Sequence, residues 1–312
     1  MILVTGGTGF VGRALVRELV SNGHAVRLLL RPSPQTPNVP KGVPVEVAVT
    51  SLNDENGLRA ALRGVDVVYH LAGGENQGAR TNLELIDING TRTLAMAAAN
   101  ARIQRMFYLS HLGSDRASGF PLLKAKGIAE EYIRESGVPY TIFRSSVLFG
   151  KDDGFTTGLS LLLHISPGFL PMPGSGKTLL QPLWIEDLIT CLIWSLDDPE
   201  TINKVMDVGG SEYINLEQIV RTIMDVIKKH RRLVYWPNPY MRAFTVIAEN
   251  IFRWFPSSVF WLDYLAVNRT CGIDSVPRQF NLMPARFSSK LDHLQGINWN
   301  KKLFNRIFSR HA

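Results

Sequence analysis

Along the first half of the chain, short runs of apolar residues alternate with stretches whose apolar positions recur every three or four residues. The runs are ILVT (2–5), AVRLLL (25–30), VPVEVAV (43–49), VDVVYHLA (65–72), MFYLS (106–110) and YTIFR (140–144). Segments of helical period fall between them, ending near residue 21 and spanning roughly 54–63, 82–101 and 119–132. Strands separated by helix-period segments predict right-handed βαβ units around a parallel sheet. The fold class expected is therefore α/β, a Rossmann doubly wound parallel sheet with a smaller C-terminal lobe.

After Gly150 the texture changes to GFTTGLSLLLHISPGFLPMPGSGKT, where Gly and Pro break every apolar run. Helical patterns return around 185–197 and 215–229. The expected division is 1–150 as the Rossmann domain and 151–312 as a C-terminal lobe for substrate or partner. That lobe would be interleaved with the last elements of the sheet, its own parts being 151–180 and 210–312.

Composition changes this picture little. At 312 residues, 45% hydrophobic and 20% charged, the chain has globular proportions and can bury a sizeable core. The opening run MILVT has no basic leader and no small-residue cleavage site, which predicts no secretory signal. No run approaches the ~18 apolar residues of a membrane span. Cys191 and Cys271 lack metal-ligand spacing and read as free thiols of a reducing compartment. The expected location is cytoplasmic, with a peripheral place on the cytoplasmic membrane face as the variant. Charge is more informative: of the net +7, residues 228–312 carry 14 Lys plus Arg against 4 Asp plus Glu, so the tail holds +10 and the rest −3.

The strongest motif is TGGTGFVG (5–12), which follows a strand and opens a helix. Gly6 permits a tight turn, Gly9 lets backbone approach a pyrophosphate, and Gly12 allows close packing of helix on sheet. Thr8, Phe10 and Val11 complete the cradle, whose helix N-terminus offers N–H groups to phosphates. At the end of the second strand an acid would bind a ribose 2′-hydroxyl; this chain has Arg31, which suits a 2′-phosphate and favours NADP(H) over NAD(H).

With the loop, Arg31, LNDENGLRAALRGVDVVYHLAG (52–73), YLSHLGSD (108–115) and Lys126, the chain resembles the short-chain dehydrogenase/reductase superfamily in its atypical, extended-like epimerase/dehydratase branch. YTIFRSSVLFGKDDGF, LPMPGSGKTLLQPLWIEDL and KVMDVGGSEYINLEQIV are similar to the group containing the NADPH-carrying accessory subunit of respiratory complex I. The similarity covers residues 1–225 well and the remainder loosely. It implies an extended cofactor with adenine near Leu52, its middle near Leu71 and Ala72, and nicotinamide near Ser110, Lys126 and the segment from Arg144 to Leu148, including Ser145 and Val147. Ser51 stands where the family has Asp, and Ser145 where it has Pro.

The resemblance also implies a catalytic set: a serine that orients the carbonyl, a tyrosine that transfers the proton, and a lysine on the nicotinamide ribose. Ser110 and Lys126 match the first and third. Lys126 and Glu130 share a helical face, and counting back four residues from Lys126 lands on Leu122. Leucine transfers no proton, and losing a positioned acid forfeits roughly 10²–10⁴ in rate, about 3–5 kcal/mol. His111, Tyr108, a water or Lys126 itself are the alternative acids. Asp187 reads as a helix N-cap, and KDDGF (151–155) as the start of the lobe crossover without metal.

The tail, with KKHRR (228–232) and YMRAFTVIAENIFRWFPSSVFWLDYLAV (240–267), carries Phe244, Ile247, Ala248, Ile251 and Phe252 on one helical face. Packing on its own lobe is the plain expectation. A membrane surface or membrane complex is the alternative, and nucleic acid is unlikely because no binding module accompanies the charge. The functional expectation is an NADP(H)-binding protein whose cofactor is structural or redox-sensing. The alternatives are an active NADPH-dependent reductase or epimerase with an unconventional acid, and a membrane-peripheral assembly or scaffold factor.

Overall fold

The computed structural model describes residues 1–312 except 34–36, 38, 41, 76, 77, 79, 80, 253, 254 and 309–312. Arg253 and Trp254 of the aromatic and basic tail therefore lie outside the described residues.

The first half folds as β1 (Ile2–Thr5), α1 (Phe10–Ser21), β2 (Val26–Leu30), β3 (Glu46–Val49), α2 (Glu55–Ala61), β4 (Val67–His70), α3 (Gly90–Asn100), β5 (Arg105–His111), α4 (Pro121–Glu135) and β6 (Tyr140–Ser145). All four residues of β1 are buried, as a central parallel strand covered on both faces requires. β3 exposes Val47 and Val49 because it is the edge strand, and it is shorter than the apolar run from 43 to 49 predicts. The helix expected over 82–101 begins instead as a π-helical turn, Glu84–Asn89, before α3.

The second half contributes β7 (Leu148–Phe149), α5 (Phe155–Ile165), β8 (Phe169–Pro173), β9 (Leu179–Leu180), β10 (Leu183–Trp184), α6 (Ile185–Asp197), β11 (Lys204–Val208), β12 (Ile214–Asn215), α7 (Leu216–Ile227), β13 (Arg232–Trp236), α8 (Asn238–Ile251), α9 (Val259–Tyr264), α10 (Ser275–Phe280) and α11 (Trp299–Phe308). The central sheet has seven parallel strands in the order β11-β6-β5-β4-β1-β2-β3. The chain starts at β1, moves outward to β3, then returns to the other side of β1 at β4. That reversal opens a crevice at the carboxyl ends of β1 and β4, the usual ligand position in such sheets.

One sheet face packs against α1 and α6, with Leu15, Leu19, Leu188 and Leu192 fully buried. The other packs against α2, α3 and α4 through Leu58, Leu94, Ala98, Ala129 and Ile133. A separate apolar cluster around Leu170, Met172, Ile219, Ile223 and Trp299 forms the second lobe. α10 crosses back from that half of the chain to lay Phe280 on Phe143 of the sheet, ring centres 6.2 Å apart.

Two details differ from expectation. Asp187 is inside the first turn of α6, where Trp184 holds the cap position; its carboxylate instead accepts from the backbone N–H of Ala285 at 2.8 Å and ties down a distant loop. The α8 stripe packs on its own lobe only in part: Ala248 is buried with Met241 and Thr245, and the Phe244 ring meets Trp236 and Phe255, whereas Phe244, Ile247, Ile251 and Phe252 remain 43–65% exposed. The buried side of the helix is thus centred on Met241, Thr245 and Ala248, at one edge of the apolar arc.

β1 and β4 are locked together by His70. Its Nδ1 meets Thr5 Oγ1 at 2.7 Å and its Nε2 meets Thr91 Oγ1 at 2.8 Å, so both ring nitrogens are occupied inside the protein. Burial, helped by the charge of Lys126, pushes its pKa down to about 3. The folded imidazole is therefore neutral at every ordinary pH, while the unfolded one takes up a proton below ~6.5. Folding stability should fall as pH drops through 6.5, by about 2 kcal/mol at pH 5, and go on falling toward 3. Urea unfolding of wild type and His70→Gln at pH 7 and pH 5 checks this: the glutamine variant should lose most of that slope, and an equal slope in both would assign it to other groups.

Candidate cofactor and active site

The loop from β1 into α1 is built on backbone contact. Gly6 has φ +71°, and a Cβ on it would lie 2.6 Å from the carbonyl carbon of Leu71 and 2.7 Å from the nitrogen of Ala72. A Cβ on Gly12 would come within 2.1 Å of the Gly6 carbonyl oxygen, so α1 starts directly on the loop. At Gly9 the added carbon would meet only the Gly6 oxygen, at 3.2 Å, which leaves its outer side open. Arg13 Nη1 donates to the Thr8 carbonyl at 2.7 Å and fixes the loop from behind.

No side chain caps α1 and its first turn holds no acid. The amides of Phe10, Val11 and Gly12 thus keep the donor capacity of a helix N-terminus, and together with the dipole they fit a pyrophosphate. Arg31 is exposed immediately after β2, and the Thr50 N–H donates to the Leu30 carbonyl, so the β2 and β3 ends adjoin. Leu52 follows, half-buried against the start of α3, where a Cβ on Gly90 would sit 3.1 Å from its own.

At the other end, α4 brings Lys126 into the interior. Lys126 Nζ lies 3.4 Å from Asp87 Oδ1 and 5.2 Å from the centre of the Tyr108 ring. Asp87 comes from the π-helical turn, and its second oxygen accepts from the Gly74 N–H at 3.0 Å. Burial alone would lower the Lys126 pKa; Tyr108, Asp87 and Glu75 together more than reverse this and raise it. Lys126 therefore holds its proton tightly, which makes its ammonium a weaker acid than an ordinary lysine and a poor proton donor. Tyr108 is buried with its hydroxyl unpartnered, and burial pushes its pKa up.

Across from Lys126, His111 Nε2 meets Glu75 Oε2 at 2.5 Å. Burial tends to raise the Glu75 carboxyl, but His111 and Lys126 override it and hold it down at about 2. Ser110 is engaged elsewhere: it shares a strand face with Tyr108 and donates to Glu130 Oε1 at 2.6 Å, where Arg144 holds the same carboxylate through Nη2 at 2.6 Å. Ser145 is buried with its hydroxyl 3.4 Å from the Ser110 carbonyl oxygen, and the Val147 side chain belongs to the core of the second lobe. Leu122, one turn before Lys126, is 7% exposed and packs with Val259 and Phe260 of α9, Leu83 and Val246.

The sequence-predicted residues thus divide into two groups. Gly6 adjoins Leu71 and Ala72, Gly12 packs on Gly6, a Cβ on Gly73 would sit 3.0 Å from Lys126 Nζ, and Arg31 and Leu52 follow the ends of the neighbouring strands, whereas Ser110, Ser145 and the Val147 side chain are buried in packed interior. Asp87, Glu75, Tyr264 and Arg269 are additions that sequence reasoning did not find. The one signal for Asp87 was an acid within the apolar periodicity of NLELIDING. Asp153, from KDDGF, accepts from the N–H groups of Gly150 and Thr157 and opens α5; among the described residues no cluster suits a metal ion.

A family model described as NAD(P)H-binding matches residues 6–165. A mitochondrial NADH dehydrogenase [ubiquinone] 1 alpha subcomplex subunit 9 of Arabidopsis thaliana is 28% identical over 249 residues, 77% of this chain and 61% of that protein. A photosystem II assembly factor of Cyanophora paradoxa is 31% identical over 268 residues, 81% of this chain and 76% of that one. The chain spans 61–63% of the length of the plant and rodent complex I relatives. Among solved structures, an NADPH-dependent quinone oxidoreductase of Escherichia coli, complexed with NADPH, superposes with a TM-score of 0.73 at 17% identity, covering 94% of this chain and 99% of that one. An epimerase of Methanothermobacter thermautotrophicus gives 0.74 at 19% identity over 99% and 94%. At such identities these two carry the fold; the loop and the family model carry the ligand class, and the chain belongs to the NAD(P)H-binding family.

Proposed function

We propose that the chain holds NADP(H) along the crevice as a structural or redox-sensing cofactor, with little ordinary dehydrogenase turnover. The observation that carries this reading is Leu122: the position of the proton donor is hydrocarbon, and α9 covers it with Val259 and Phe260. When bound, the nicotinamide would supply hydride chemistry; Gly6 to Gly12 would grip the pyrophosphate and Lys126 the ribose. Ser110 then serves as a positioning residue that steadies Glu130 and Arg144 under α4. Steady-state NADPH oxidation over a panel of carbonyl and quinone substrates should stay well below the roughly 1–10³ s⁻¹ of ordinary enzymes. A rate inside that range, abolished by His111→Ala, would replace this reading with a reductase or epimerase that uses His111 as its acid.

Preference for the phosphorylated dinucleotide rests on Arg31, exposed where β2 ends. Charge-assisted bonds to a phosphate contribute roughly 1.5–3 kcal/mol. Arg31→Asp should therefore weaken NADPH binding at least about tenfold in calorimetry while leaving NADH nearly unchanged. Equal affinity of the wild type for both would remove the preference.

A second reading, a seat on the cytoplasmic membrane face or on a membrane complex, is favoured by the uncovered face of α8. Tyr240, Phe244, Ile247 and Ile251 stand out of that helix, and Phe304 and Phe308 stand out of α11. Arg306 Nη2 donates to the Phe255 carbonyl, which sets α11 beside the segment that follows α8. α11 has three cations and no acid, and basic residues near an anionic surface contribute about 1 kcal/mol each. In KKHRR, by contrast, Lys229 bonds to His164 and Arg231 to the Ser166 carbonyl, so part of that segment is structural. Flotation with vesicles rich in phosphatidylglycerol should carry the protein up, and Ile247→Glu with Ile251→Glu should abolish it; a protein that stays at the bottom of the gradient has no such seat.

A further inference from the structure

We infer that the second lobe builds a binding site for a small monocarboxylate at Arg269 and Tyr264, beside the His111 end of the crevice. Arg269 follows α9 and is 6% exposed. Its Nε donates to the Tyr264 carbonyl at 3.3 Å, and its guanidinium lies between the rings of Phe120 and Tyr264, 5.5 and 5.4 Å from their centres. Among the described residues nothing accepts from its Nη2, and no carboxylate pairs with it. The Tyr264 hydroxyl is also buried without a partner, and so is Nδ1 of His111, whose ring meets Tyr264 edge-on at 5.8 Å. Three side chains in continuous contact thus present three unmet polar atoms.

The same fold shows how it treats a guanidinium whose role is structural. Arg105 is equally buried and also lies over a ring, Phe107. Yet its Nε and Nη2 both donate to Thr141 Oγ1, at 3.0 and 2.7 Å, and its Nη1 donates to the Asp198 carbonyl at 3.2 Å. Ring contact stabilises a cation without satisfying its in-plane N–H groups, so Arg269 lacks what Arg105 has. A buried charged donor left unmet is expensive, and the natural remedy is a ligand.

Charge sets the class of that ligand. Lys126 faces Asp87 and Glu75 faces His111, which leaves the guanidinium of Arg269 as the cation without a carboxylate among the described residues of this region. A monoanion balances it, whereas a dianion overshoots. The planar fork matches the two oxygens of a carboxylate, with the Tyr264 O–H as a further donor. Gly113, at φ +82°, lets the loop after β5 close on the group: a Cβ there would fall 2.3 Å from Arg269 Nη1. The inference rests on the proposed cofactor reading only for what the carboxylate would adjoin; the site itself needs no dinucleotide.

Thermal unfolding of the full chain without dinucleotide, titrated with sodium acetate or sodium benzoate at constant ionic strength, tests the site. Tm should rise saturably, and the apparent affinity should drop roughly 10–100-fold in Arg269→Gln and by less in Tyr264→Phe. Arg269→Lys keeps the charge and loses the fork, so it should bind several-fold more weakly, and it serves if the glutamine variant does not fold. An unaltered carboxylate response in both Arg269 variants, no saturable response in the wild type, or a stronger response to sulfate or phosphate than to carboxylates would each overturn the proposal. NADPH calorimetry on the same samples reads the cofactor proposal separately, so either can fail alone.

Discussion

Everything in the crevice depends on one contact of backbone with backbone, Gly6 against Leu71 and Ala72. Because no Cβ intervenes, the loop after β1 and the segment after β4 approach to van der Waals distance at the place where the strand order reverses. Thr5 then reaches both His70 and the Ala72 N–H, so one hydroxyl couples the two strand ends. From there His70 reaches α3 through Thr91. A phosphate cradle and a buried lysine are held in mutual register by a few short bonds, none of which depends on a catalytic group.

On the proposed reading, that independence explains how the position expected to hold a proton donor can be leucine. Lys126 is held by Asp87 below it and by the field of Glu75, with its stem in a helix whose next turn carries Glu130 against Arg144. A tyrosine one turn earlier would add a hydroxyl to this arrangement, but the arrangement does not need one to keep the ammonium charged. Leu122 in turn gives α9 an apolar surface, and the lobes meet there through Val259 and Phe260 without a buried hydroxyl to satisfy.

The sheet and the cradle were legible in the sequence because their physics is local. Continuous apolar runs mark strands covered on both faces, and a glycine loop between strand and helix leaves few alternatives. What was not legible depends on contacts between distant segments. Ser110 sits where a carbonyl-orienting serine is expected, but only the fold reveals that it shares a face with Tyr108 and meets Glu130. Asp87 enters the site because the backbone makes a π-turn, which shifts every later side chain relative to an α-helical count. Asp187 has the composition of a cap, yet its partner, Ala285, is 98 residues away. On α8 the periodicity announced an apolar face; periodicity carries no information about what covers it, and of that face Ala248 is buried, beside Met241 and Thr245.

The two lobes also handle charge differently. In the sheet half, each buried ion has an answer: Lys126 has Asp87, Glu130 has Arg144, and Arg105 has threonine hydroxyls and a carbonyl. Residues 228–312 hold +10, and their four acids have set tasks, among them Asp263 on Arg242 and Asp274 on Arg278. Such a lobe has too few carboxylates to neutralise itself. Its surplus is met by solvent at the surface and, where the cation is buried as at Arg269, would be met by the carboxylate proposed above. The sheet half thus answers its own buried ions, while the basic lobe holds a buried guanidinium that no carboxylate among the described residues meets.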